Sequence, residues 1–147
     1  MIEDHAEQIT RRLVNDLQSN EHTPAYNALS RSNLHRRIVE VYRNLDRWLV
    51  NESDDAIAAA YTELGKIRFA EDIPLSEVVY ALILTKSHLR DYIRTSALLD
   101  SAIELYQEKE LQQLIAQFFD KAIYFTVQAY MQEAARWSGN YTAARAH

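Results

Sequence analysis

"GKIRFAEDIPLSEVVYALILTKSHLRDYI", residues 65–93, is the stretch that decides the fold. Pro74 cannot continue a helix arriving from Gly65, yet it suits the first turn of a helix that leaves it. Ile57, Ala60, Tyr61, Leu64 and Ile67 recur at helical spacing before the turn. Leu75, Val78, Val79, Leu82, Leu89 and Ile93 do so after it. The stretch therefore reads as the end of a helix over Asp54–Glu71, a turn at Asp72-Ile73-Pro74, and a helix from Leu75 to Thr95. Gly65 reads as a residue that eases a close helix contact. Arg68 falls on the apolar side by angular phase, so its charge must snorkel or be paired, with Asp72 the nearest partner in sequence. Its bland role holds the helix end to a neighbour, and its sharper alternative is ligand binding.

Working outward, Ile2, Ala6, Ile9, Leu13 and Leu17 place a first helix before the loop "SNEHTPAYNALSRS", in which Thr23 and Pro24 can open a short helical turn. Ser30 or Ser32 can cap the next helix, striped by Leu34, Ile38, Val41, Leu45, Trp48 and Leu49. Ser53, followed by Asp54 and Asp55, can cap the one after, where the helix dipole favours acids. From Asp100 to Trp137 no Gly or Pro interrupts the helical pattern. One helix of that length would span roughly 57 Å, so the expectation is a break near Glu108 to Leu111 or a helix that projects. The tail "SGNYTAARAH" is expected to fray from Gly139.

The chain has 147 residues, 48% hydrophobic and 25% charged, which suits one folded domain over residues 1–138 with a tail over 139–147. Two glycines and two prolines leave little room for hairpins, so the class is all-α: a compact bundle of five or six helices ending in a long one. Zero cysteines exclude thiolate metal sites and cysteine nucleophiles. The acidic start, "MIEDHAEQITRRL", lacks the apolar segment of a signal peptide, which leads to a cytoplasmic, non-membrane expectation. A net charge of −5 argues against a nucleic-acid partner.

The sequence carries no Glu-x-x-His pair, no His-Glu-x-x-His and no glycine-rich phosphate loop, which removes di-iron, zinc-hydrolase and nucleotide-loop chemistry and points away from an enzyme. His88 stands in a row with Tyr80 and Leu84, about 120° or more around its helix from the main apolar face. Other helices of the domain, or a second subunit, would cover that row. His88 is thus a packed or interface histidine, with haem or a small effector as the alternative ligand and otherwise no cofactor. In the last helix Leu111, Leu114, Ile115, Phe118, Phe119, Ala122 and Phe125 form one stripe. Ile123, Val127, Tyr130 and Ala134 form another. Pairing with a second chain explains two stripes, through Phe119, Ile123, Val127, Tyr130 and Ala134; enclosure of the helix by its own domain is the alternative.

The run "LGKIRFAEDIPLSEVVYALILTKSHLRDYI", with "QFFDKAIYFTVQAYMQ" further on, resembles the N-terminal domain of RsbT co-antagonist proteins of the RsbRD type, which is also found ahead of histidine kinases. Leu64, Gly65, Arg68, Pro74, Leu75, Glu77, Leu82, Phe118, Phe119, Asp120, Ala122 and Ile123 carry the match. Asp72 departs from it, standing where the family often has glycine; Asp also tolerates the left-handed conformation, so the turn is kept. The resemblance implies a globin-like sensory domain that forms homodimers through helices without obligatory haem and works on an output domain or regulatory partner, such as a kinase or stress-response regulator. It makes Gly65, Arg68, Asp72, Pro74 and Glu77 candidates for structural or signalling roles. An excised module and a stand-alone version both fit.

Overall fold

The computed structural model describes residues 6–51, 53–96 and 102–146, which form six helices and, among those residues, no strand. In chain order they are α1 (Ala6–Ser19), α2 (Pro24–Asn27), α3 (Arg31–Asn51), α4 (Asp54–Ala70), α5 (Leu75–Ser96) and α6 (Ala102–Ala146). The architecture is the all-α bundle that the periodicity predicts. The expected starts of the first and last helices, at Ile2 and Asp100, lie outside the described residues.

Each helix end has a local cause. Ser30 caps α3, its hydroxyl accepting the Asn33 N–H at 3.1 Å. Thr23 precedes α2 but makes no side-chain cap there, because its hydroxyl turns back to the Leu17 carbonyl of α1 at 3.1 Å. Ser53 likewise precedes α4 without capping it through its side chain. Asp54, in the first turn of α4, is bound instead by Lys121 of α6 at 2.8 Å and by the Trp48 indole N–H of α3 at 3.3 Å. That carboxylate joins three helices.

α4 ends on two backbone hydrogen bonds, from Asp72 N–H to Phe69 O at 3.0 Å and from Ile73 N–H to Arg68 O at 3.2 Å. They form a Schellman closure with Asp72 in the left-handed position, at φ 59°. Pro74 follows, its carbonyl accepting the N–H groups of Glu77 and Val78 as α5 starts.

The core is one cluster drawn from all six helices. At its centre the fully buried Phe118 ring of α6 meets Trp48 of α3 at 5.9 Å, Tyr61 of α4 at 5.7 Å and Phe119 at 5.2 Å. Aromatic pairs at these separations each add about 0.5–1.5 kcal/mol beyond the area they bury. α4 and α6 pack over a longer course than any other pair among the described residues. Their contacts advance along both helices together, from Tyr61–Phe118 through Gly65–Thr126 to Phe69–Tyr130.

Gly65 stands in the middle of that seam. A Cβ placed on it would lie 2.4 Å from the Thr126 carbonyl oxygen, 2.9 Å from Ala129 Cβ and 3.0 Å from the Tyr130 nitrogen. Two of those atoms are backbone and cannot move aside alone. Ile67, expected in the core, is instead 43% exposed. The face of α4 that meets α6 is set by Tyr61, Gly65 and Phe69, and Ile67 lies away from it towards α3.

α6 is one unbroken helix of 45 residues, about 68 Å long. No break occurs at residues 108–111, so the excess length is taken up by projection. The helix runs on past Gly139 to Ala146, and Gly139 does not take the left-handed conformation that ends helices. Among the described residues no helix is long and apolar enough to cross a membrane.

The two glycines give a paired test. Gly65→Ala gains about 1 kcal/mol of helix propensity but loses about 1–3 kcal/mol to overpacking, so its thermal midpoint should fall. Gly139→Ala meets nothing within 4 Å and should hold or raise the midpoint. A Gly65→Ala protein more stable than the parent would show that the helices do not approach this closely.

Candidate functional site

The turn between α4 and α5 gathers the charged groups nearest the core. Arg68 is only 9% exposed, and its guanidinium donates to Glu71 Oε1 at 2.7 Å. Glu71 also receives Arg37 of α3 in a two-pronged pair, with Nη1 3.0 Å from Oε1 and Nη2 on Oε2. Arg37 Nε in turn donates to Asn33. The partner of Arg68 is therefore Glu71, not Asp72. The left-handed twist at Asp72 takes that side chain out of helical phase, whereas Glu71 still sits one turn from Arg68. The hydrogen bonds from Arg37, reinforced by Arg68, hold the Glu71 carboxyl below the ordinary glutamate range despite some burial. Beside the pair, burial pushes the Tyr26 phenol up, against the opposing charges of Arg68 and Arg37.

Glu77 is 7% exposed and its Oε1 accepts the Ala25 N–H of α2 at 2.7 Å. It supplies the N-terminal acceptor that Thr23 does not, so α5 pins α2. Between this polar group and α5 lies a cavity of about 40 Å³ bordered by Tyr26, Arg37, Arg68 and Thr85. Its size suits a water molecule rather than a haem.

His88 projects from α5 onto α1, with Nε2 2.8 Å from Asp16 Oδ2. Burial tends to raise the Asp16 carboxyl, but hydrogen bonds from His88 and Asn20 outweigh it and leave it lowered. Tyr80, in the same row, meets the His22 ring at 4.9 Å. The row is covered by α1 and the segment after it, so His88 makes its contact within the domain. An iron taking Nε2 would first have to break the pair with Asp16.

The residues expected at a dimer interface divide. Phe119 is fully buried in the core, and Tyr130 donates its hydroxyl to the Ile73 carbonyl at 2.7 Å while its ring meets Phe69 at 5.4 Å. Both belong to the domain's own packing. Ile123, Val127 and Ala134 are half-buried. The strongly exposed apolar side chains on this helix are Tyr124 at 59%, Met131 at 58% and Trp137 at 67%. Tyr124, Val127, Met131 and Ala134 alternate at spacings of three and four, a coiled-coil seam on the side away from Phe118 and Ala122.

Sequence reading missed Arg37 and Asp16 because each is defined by a partner on another helix, and it passed over Glu71 in favour of Asp72. A family model described as "RsbT co-antagonist protein rsbRD N-terminal domain" matches residues 4–145. No curated protein and no solved structure matches the chain.

Two measurements check the turn. Glu71 has a lowered folded-state value, so its contribution is present above the unfolded carboxylate range and is lost as pH falls through the folded value. Glu71→Gln should therefore flatten stability against pH below about pH 4.5, read by denaturant titration; an unchanged acid slope would dismiss the Arg37–Glu71–Arg68 coupling. Asp72→Gly, relieving the left-handed residue, should raise stability by up to about 1 kcal/mol, and Asp72→Val should lower it.

Proposed function

The chain belongs to the RsbRD N-terminal domain family, whose members are regulatory domains of stress signalling, and on that premise we propose that it is a non-catalytic input domain that pairs with a second copy through α6. A signal that favours one arrangement of the paired helices over another would be relayed along α6 to an attached output domain or a separate partner, a kinase or stress-response regulator.

The observation that carries this reading is the combination of length and exposure in α6. The helix runs to Ala146, while beyond Tyr130 its side chains through Gly139 are mostly exposed. Tyr124, Val127, Met131 and Ala134 offer an apolar seam at heptad spacing, and each lies outside the packing against α4 that Thr126 and Ala129 make. A self-complementary seam of this kind suits a two-fold pair. The interface proposed thus differs from the stripe read from sequence: Val127 and Ala134 stay, and Tyr124 and Met131 replace Phe119, Tyr130 and Ile123, which packs against the core.

Light scattering across the micromolar range should give twice the chain mass of 17.1 kDa. Met131→Glu should weaken association by about tenfold or more, or ~1.4 kcal/mol, with the helical circular dichroism unchanged. A mass of one chain at every concentration would overturn the pairing.

A further inference from the structure

A groove separates α3 from α4 on the face away from α6. Two abutting hollows of about 540 Å³ each form it, and both are bordered by Asn44, Arg47 and Ala60. From Arg36 to Asn51 the α3 wall extends about 22 Å. The α4 wall is low, with Ala56, Ala59 and Ala60 along it, and the exposed Ile67 closes one end.

The charges of this groove oppose those of the chain. The protein carries −5 overall, yet four arginines, Arg36, Arg37, Arg47 and Arg68, border the hollows against Glu40 and Glu63. Arg37 and Arg68 are held by Glu71, and Glu40 by Arg43. Among the described residues Arg36 and Arg47 have no ion pair, so they remain available to an incoming anion. They stand eleven positions apart on α3, just over three full turns, and so point the same way about 16 Å from each other. Below them Tyr61 borders the same hollow, its hydroxyl fully buried beside Asn44.

We propose that the α3–α4 groove docks an acidic amphipathic helix of a partner protein, with two carboxylates about three turns apart on Arg36 and Arg47 and an apolar face on Val41, Ala60, Leu64 and Ile67. The groove's length matches about fifteen helical residues, and its alanine wall lets a helix backbone come close. Complementary charge sets the polarity of the partner and speeds its capture. This deepens the signalling reading, on which it rests for the existence of a partner, and it uses a face of the domain that α6 pairing leaves open.

The test takes the full chain, isotope-labelled, and a synthetic helical peptide of about sixteen residues with two glutamates three turns apart beside a leucine-alanine face. Chemical shifts should move along α3 and α4, with binding that weakens as salt rises. Arg36→Glu with Arg47→Glu, both on exposed positions, should lose affinity at least tenfold for this peptide and gain it for a lysine version. Ala60→Trp, with circular dichroism confirming the fold, should block both peptides.

Equal binding of the parent protein to the lysine peptide or to a scrambled glutamate peptide would overturn the proposal. So would shifts confined to α6, or no binding at millimolar peptide. Loss of the dimer mass in the double charge variant would assign the groove to a second copy instead. A dimer that persists while the peptide fails refutes the groove alone, whereas peptide binding by a monomer refutes only the α6 pairing.

Discussion

The close approach of α4 to α6 at Gly65 is the constraint from which the rest of the packing follows. A helix pair at ordinary separation leaves room for a Cβ at the crossing, whereas here that atom would overlap the Thr126 carbonyl at 2.4 Å. Bringing the backbones together places the Tyr61 ring against Phe118 and the Phe69 ring against Tyr130, one contact on each side of the glycine. Arg68, one turn beyond the glycine, is turned inward among α2 and α3 residues, where a guanidinium must be neutralised. Glu71 is within reach because α4 persists for one more turn before the left-handed Asp72 ends it.

That ending joins the two halves of the bundle. The Schellman closure directs Ile73 into the core, where its carbonyl receives the Tyr130 hydroxyl, and Pro74 then starts α5 so that Glu77 meets α2. Arg37 reaches the same corner from α3 through Glu71. Five helices are thereby fixed by a few polar groups, each with a partner. Buried polar groups tend to be informative about uniqueness rather than gross stability, since their hydrogen bonds are satisfied in one arrangement only.

What could be read from sequence follows from how local each cause is. Pro74, the apolar periodicity on both sides of it and the scarcity of glycine identify the helix-turn-helix and the all-α class, because proline geometry and helical phase are properties of neighbouring residues. The inward phase of Arg68 was legible on the same grounds. Its partner was not: Glu71 and Asp72, three and four positions on, both lie about one helical turn away, and only the left-handed φ decides between them. Arg37 lies 34 positions from Glu71, and Asp16 lies 72 from His88; no spacing rule joins them. Length suggested a break in α6, but length alone breaks no helix, and nothing in residues 108–111 interrupts the hydrogen-bond ladder. Phase also showed two apolar stripes on α6 without saying what covers each. α4 and the Ile73 turn extend far enough to claim Tyr130, which moves the uncovered seam to Tyr124 and Met131.

The position of α4 gives a physical reason why one domain could join a docked partner to paired helices. α4 has the α3 groove along one side and α6 along the other. A ligand alters an equilibrium only by binding two arrangements unequally, so a helix in the groove matters to α6 only if it changes where α4 rests. At most helix interfaces side chains absorb a small displacement. At Gly65 the backbone of α6 is itself the contact, and Thr126, Ala129 and Tyr130 leave almost no clearance. A shift of α4 of a few tenths of an ångström towards α6 meets steep repulsion there, and one away from it opens a gap whose lost dispersion is also costly. In the signalling we propose, the crossing would pass motion on instead of damping it. Because α6 is continuous from Ala102 to Ala146, a small tilt about that fulcrum grows with distance along the helix and is largest in the segment beyond Met131.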